Sequence, residues 1–382
     1  MNTPSAALPV PLPTSRFAIS AYFFILGTVF ATWAARIPTI KAQLQLSDGE
    51  LGTLLLGMPI GSLMVLPLAG WVTARFGSRT ILTIAGVLYS AILPALALLP
   101  GVWTLGLGLM LFGAAGDLIN IAANDQAVEL EKLHGRSIMS SFHALFSVGG
   151  MVGAALGGLM YKQDVSLLAH FAGVAVFTAL MGVGFYRFLL TTARHESGHT
   201  PVFVRPDRAI LGLGLIGFCV MLGEGSMADW SSVYLAGLLP HDSPFTTAGY
   251  TAFSLAMASG RFGGDWIVNR FGSRKILIAS GLLSGFGLLL ALAVQQPIVV
   301  VLGFACVGLG FATVVPLVYS AAGQSGVMSP GMAIAAVSTV SYLGFLAGPP
   351  LIGWLSEAFS LRWALLWVVA LSFMISILGR RK

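Results

Sequence analysis

The sequence predicts an all-α membrane protein of twelve transmembrane helices, built as two pseudo-symmetric six-helix bundles. Three observations predict it. Of 382 residues, 57% are hydrophobic and only 9% charged, where a soluble domain carries about 25% charged residues. Twelve apolar stretches of bilayer length can be read along the chain. The two halves repeat one another at a fixed offset.

The stretches run 17–38, 50–73, 79–99, 102–126, 137–160, 167–190, 208–237, 246–268, 274–294, 297–320, 332–356 and 361–379. Each is near the roughly 20 residues that span a hydrocarbon core as a helix. Their many Gly and Pro residues are tolerated in membrane helices, because neighbouring helices satisfy the freed backbone groups. Residues 1–16 are Pro-rich and nearly uncharged, without the basic start of a signal peptide, so a disordered tail is expected there. The longest polar break, 191–207 (TTARHESGHTPVFVRPD), is the expected linker between bundles at 17–190 and 208–382.

The basic residues orient the chain. With the N-terminus cytoplasmic, fifteen of the 20 Lys and Arg residues fall on the cytoplasmic side. Arg36, Lys41, Lys162 and Arg362 fall outside, and Arg261 lies within a helix. That asymmetry predicts both termini in the cytoplasm, and the expected location is a bacterial inner membrane. The net charge of +6 has the same source, and no basic patch interleaved with aromatics points to nucleic acid. Cys219 and Cys306 sit inside apolar runs and suggest neither a disulfide nor a metal framework. There is no nucleotide-binding loop, nucleophile elbow or paired-His metal helix, so no enzyme, cofactor or metal is expected. The expected partners are a small-molecule substrate, protons and the bilayer, with the protein a monomer.

The repeat is specific. Residues 71–82 read WVTARFGSRTIL and residues 266–277 read WIVNRFGSRKIL, with eight of twelve positions identical at an offset of 195. The same offset aligns Gly149, Gly153 and Gly158 with Gly344, Gly348 and Gly353. A parallel six-helix repeat is the signature of the major facilitator architecture, with the substrate held midway between the halves. GWVTARFGSR resembles the loop between helices two and three of that superfamily, usually G-x-x-x-D-R-x-G-R-[RK]. Gly70, Arg75 and Gly77 match, with Arg79 beside them; Arg270, Gly272 and Arg274 are the second copy. The usual Asp is Ala74 here and Asn269 in the second copy, so the cytoplasmic latch built on it must differ. Arg75 and Arg270 remain candidates to cap helix C-termini, where cations are favoured. More narrowly, GAAGDLINIAAN, GRSIMSSFHALFSVGGMVGA and GEGSMADWSSVYL are similar to the YbjJ-type branch, near the fucose-permease-like group. That resemblance implies a proton-coupled or facilitative carrier of a small solute.

Ionisable groups inside a bilayer are costly and are functional candidates by default. Asp117, Asn120 and Asn124 share one face of the fourth stretch and offer donors and acceptors to a polar ligand. Asp125 lies nearer the interface. Glu224 sits mid-stretch between two glycines, as a proton-coupled carrier requires of a carboxyl, and Asp229 follows toward the outside. Arg36 closes the first stretch, and an Arg36–Asp229 gate that forms in one state and breaks in the other is expected. His143 can relay protons near neutral pH. Arg261 and Asp265, four apart, can pair along a helix as a structural or gating element. Trp33, Trp230, Phe142, Phe146 and Tyr342 are candidates to line a cavity. The small-residue faces GGMVGAALGG and GFLAGPPLIG allow close helix approach, and Pro349 and Pro350 are expected to kink or break the eleventh helix. The favoured function is alternating-access carriage of a small polar solute, coupled to protons. The alternative is a proton-driven exporter of lipophilic compounds, since those two segments also resemble the antiporter motif G-x-x-x-G-P-x-x-G-G.

Overall fold

The computed structural model describes residues 11–134, 138–191, 208–240, 243–326 and 330–380. Within them the chain forms helices α1 (Leu12–Ala35), α2 (Ile37–Gln43), α3 (Asp48–Leu55), α4 (Gly57–Phe76), α5 (Ser78–Leu96), α6 (Val102–His134), α7 (Met139–Lys162) and α8 (Leu167–Phe185) in the first half. The second half holds α9 (Arg208–Ala236), α10 (Ala248–Phe271), α11 (Ser273–Val294), α12 (Pro297–Phe311), α13 (Val314–Gly323), α14 (Pro330–Ala358) and α15 (Leu361–Arg380). Three of the twelve expected rods are therefore two-piece: α1–α2, α3–α4 and α12–α13. Each break falls just before Pro38, Pro59 or Pro316, which sits in the first turn of the second piece, where a missing N–H costs no helical bond. The expected break in the eleventh rod does not occur, because α14 runs through Pro349 and Pro350.

Among the described residues eleven rods are long and apolar enough to cross a membrane. The twelfth, α10, has the length but carries Arg261, Asp265 and several Ser, Thr and Gly residues, which lower its hydropathy. The first helix starts at Leu12 rather than 17, because Pro13 sits in its first turn, where a missing N–H costs nothing. Most of the expected 191–207 linker lies outside the described residues. The polar extension of α6 past Asp125 stays helical to His134, since Gln, Glu, Leu and Lys are good helix formers.

The repeat is visible in the backbone. Gly77 ends α4 and starts α5 at φ 83°, ψ 137°, and Gly272 joins α10 to α11 at φ 81°, ψ 147°. That region is essentially closed to residues with a Cβ. Space for a side chain is open at both turns, so the penalty of a substitution is conformational alone. Gly77→Ala and Gly272→Ala are each expected to destabilise the fold by about 1–3 kcal/mol. Melting of the detergent-solubilised variants checks this, and unchanged midpoints in both would refute it.

Glycines also set the helix spacing. A Cβ on Gly149 of α7 would lie 2.3 Å from the Phe24 carbonyl of α1, and one on its repeat mate Gly344 of α14 would lie 2.3 Å from the Phe218 carbonyl of α9. Each half thus has an equivalent backbone-to-backbone crossing, as the small-residue faces predict.

The halves meet tightly at the face opposite the chain termini. There Glu357 of α14 accepts a hydrogen bond from Gly49 N–H in the first turn of α3 (2.9 Å), and Trp354 Nε1 donates to Thr53 Oγ1 (3.2 Å). Asp48 accepts from Ser356 and pairs with Lys41. Gly353 abuts Gly52, and its repeat mate Gly158 abuts Thr247 and Pro244. At the terminal face, among the described residues, the side-chain hydrogen bonds stay within each half: Arg16 to Ser141, Arg79 to Thr191 and Arg274 to the Arg380 carbonyl.

Candidate functional site

Midway along the helices, polar side chains from both halves converge. On α6 they form a relay. Asn124 Nδ2 donates to Asn120 Oδ1 (2.9 Å) and to the Asn120 carbonyl (2.8 Å), and Asn120 and Ser62 lie beside the Asp117 carboxyl. Asp117 Oδ2 is nevertheless buried with no hydrogen-bond partner among the described residues. Tyr89 of α5, stacked on Phe112 at 4.3 Å, and Tyr342 of α14 both lie in the field of this carboxylate. The expected grouping of Asp117, Asn120 and Asn124 is therefore present, and Tyr342 faces it from the other half.

Arg261 of α10 crosses the seam. It donates from Nη1 to Ser147 Oγ (2.8 Å) and to the His143 carbonyl (3.4 Å), both on α7. Its Nη2 lies 3.7 Å from Glu224 Oε1 on α9. The side chains are 12% and 23% exposed, so the pair is shielded but within reach of a solute. At 3.7 Å the contact is an ion pair without a hydrogen bond, and Glu224 Oε1 has no hydrogen-bond partner among the described residues. The sequence placed Arg261 in a pair along its own helix with Asp265, whose side chain lies outside the described ones. The tertiary contacts make Arg261 a cross-bundle bridge to Ser147 and the His143 carbonyl. His143 contributes its carbonyl, while its ring packs edge-on against Phe23 at 5.2 Å.

The Arg36–Asp229 gate is not formed. Arg36 turns into its own half, where Nε donates to His170 Nδ1 (3.3 Å) and Nη2 to the Val165 carbonyl (2.6 Å), with Tyr161 beneath the guanidinium. Asp229 is buried on α9 with Tyr250 in its field. Three expected cavity aromatics are core residues. Trp33, Trp230 and Phe142 are at most 1% exposed, because their positions on α1, α7 and α9 turn toward the helix-packing seams. Phe146 and Tyr342 keep partial exposure.

In the glycine turns the capping role passes to the second arginine. Arg274 bonds the Arg380 carbonyl at the end of α15 (2.6 Å), and Arg79 lies over the Tyr186 ring at 4.2 Å. Arg75 and Arg270 end α4 and α10 beside Trp71, Phe76 and Phe271, in the last turn, where a cation suits the helix dipole. Gly70 lies where no side-chain environment is described.

Sequence reasoning missed Ser147, Tyr250, Tyr319, Ser62 and the Asp48–Ser356–Glu357 cluster. Ser147 could have been found, since it lies one turn beyond His143. Glu357 is the repeat mate of Lys162, an opposite charge at equivalent positions.

The Major Facilitator Superfamily profile matches residues 18–326 and 213–381. The chain belongs to the Major Facilitator Superfamily. Its relatives agree. An uncharacterized MFS-type transporter of Yersinia pestis is 39% identical over 340 residues, 89% of this chain and 88% of the relative. The membrane protein MosC of Rhizobium meliloti is 32% identical over 361 residues, 94% of this chain and 88% of the relative. In fold, this superfamily member is similar to the nucleoside transporter NupG (TM-score 0.75, 13% identity, 96% of this chain and 99% of that one). It is also similar to a bacterial homologue of the human lysosomal transporter Spinster, inward-facing and occupied (TM-score 0.74, 15% identity, 95% of each chain). As a major facilitator protein the chain is a multi-pass membrane transporter, and its departures at Ala74 and Asn269 fall in the superfamily's loop motif.

Proposed function

We propose that this transporter carries a small polar solute across a bacterial inner membrane by alternating access, coupled to protons, with both termini cytoplasmic. One observation carries the reading. Asp117 and Glu224, on helices of different halves, each hold a buried carboxylate oxygen without a hydrogen-bond partner among the described residues. An unmet buried acceptor costs free energy until a donor meets it, and a donor-rich solute or a proton supplies one. Arg261 ties Glu224 to α7, so protonation of Glu224 weakens the bridge between the halves. The tight opposite face, joined by Glu357–Gly49 and Trp354–Thr53, agrees with one end of an alternating cycle. Asp229 and His143 would act around this centre, with Phe146 and Tyr342 against the solute.

A thermal-shift screen tests it, using sugars, organic acids, nucleosides, vitamins and lipophilic cations at about pH 5.5 and about pH 7.5, since a ligand bound only to the folded state raises its stability. The expected result is a pH-dependent shift with one polar class, lost in Asp117→Asn. Shifts with lipophilic cations alone, unchanged in Asp117→Asn, would replace this reading with that of an exporter.

A further inference from the structure

A second polar cavity lies away from the central site, at the face opposite the termini, with a volume of about 430 Å³. It sits inside the first half, between α2, α7 and the start of α8. Its lining includes Arg36, Lys162, Thr39, Gln43, Ser166 and Asp164. Arg36 is only 3% exposed. Its two donated bonds go to an imidazole and a carbonyl, both neutral acceptors. Among the described residues no carboxylate pairs with Arg36 or Lys162, and none accepts from Arg36 Nη1. A guanidinium this buried is normally matched by an anion.

The backbone adds to the same field. Val165, Ser166 and Leu167 line the cavity, and α8 begins at Leu167. Its first turn therefore directs unpaired N–H groups and the positive end of a 19-residue helix toward the cavity. Ser166 caps that turn by accepting from Ala169 N–H (3.2 Å), which fixes its orientation. Thr39 and Gln43 supply neutral donors on the α2 side. Asp164 is the opposing charge, so two cations and a helix N-terminus face one carboxylate.

We propose that this cavity binds an oxyanion of the phosphate type, held bidentately by Arg36 and by Lys162 and the α8 N-terminus. The source is either a lipid headgroup at the membrane surface or a free anion. The site is separate from the central carboxylates, and it stands whatever the transported solute is.

The test is melting of the full-length protein in a neutral detergent. Inorganic phosphate is compared with sodium chloride of equal ionic strength, and micelles doped with phosphatidylglycerol are compared with micelles doped with phosphatidylcholine. Lys162→Glu and Gln43→Glu, both exposed positions, place a negative charge at the cavity without disturbing the core. The expected result is stabilisation by phosphate or by phosphatidylglycerol, weakened about tenfold in apparent affinity in both variants, the scale of one lost charge-assisted hydrogen bond. A response to phosphate assigns a free anion. A response to phosphatidylglycerol alone, with the lipid retained in native mass spectra of the parent and lost in the variants, assigns a headgroup. No stabilisation beyond the salt control, or equal responses in parent and variants, overturns the site.

Discussion

Arg261→Met is expected to abolish transport and to destabilise the folded protein more than any other single change at the centre. Among the described residues it reaches across the seam to Ser147 Oγ at 2.8 Å and the His143 carbonyl at 3.4 Å, and lies 3.7 Å from Glu224 of its own half. Its loss leaves the Glu224 carboxylate without its cation in a low-dielectric setting. Breaking a fully buried pair costs about 3–5 kcal/mol. With side chains 12% and 23% exposed, solvent screening brings the expected loss toward about 2 kcal/mol. The control is Arg261→Met combined with Glu224→Gln, which removes the stranded charge. It should recover most of the stability and none of the transport, with a coupling energy of about 1–3 kcal/mol. If the double variant melts no higher than Arg261→Met, the Glu224–Arg261 pair contributes nothing to the stability of the fold.

The second large effect is at the opposite face. A Cβ on Gly353 would lie 2.6 Å from the Asp48 carbonyl and 2.7 Å from Gly52 Cα. Backbone stands on both sides, so no side chain can swing away. Gly353→Leu therefore wedges α3 from α14, breaks the Glu357–Gly49 cap and shifts the protein away from the arrangement described here. Overpacking of this kind costs about 1–3 kcal/mol, which moves a two-state equilibrium by roughly 5- to 150-fold. Spin-label distances between α3 and α14 should lengthen while the protein stays monodisperse, and transport should fall with them. Gly158→Leu should do the same from the other side, against Thr247 Oγ1 (2.5 Å) and the Pro244 carbonyl (2.7 Å). Unchanged distances in both variants would show that the contact is not what closes this face.

Much of the fold was legible because bilayer physics writes it into composition. A spanning segment must be apolar for about 20 residues, so the twelve rods could be counted, though three of them are two-piece at Pro38, Pro59 and Pro316. The repeat was legible because RFGSR encodes a turn that demands glycine at one position, and the structure places Gly77 and Gly272 in that conformation. Of the candidate site, the Asp117–Asn120–Asn124 face followed from helical spacing alone. Arg261 did not. Its chemistry depends on α7 and α9, neighbours more than 30 residues away in the chain, and periodicity on α10 pointed only to Asp265.

By itself, then, the sequence determined the membrane class, the two-fold repeat, the glycine turns and the Asp117–Asn120–Asn124 face, since each follows from local spacing. Only the tertiary structure decided which of those residues meet. It turned Arg36 toward His170 instead of Asp229, buried Trp33 and Trp230 in the bundle seams, and set Arg261 between the halves. The reason is geometric: a helix presents a different neighbour about every 100° of rotation, and which neighbour stands there is fixed by the packing of the other helices.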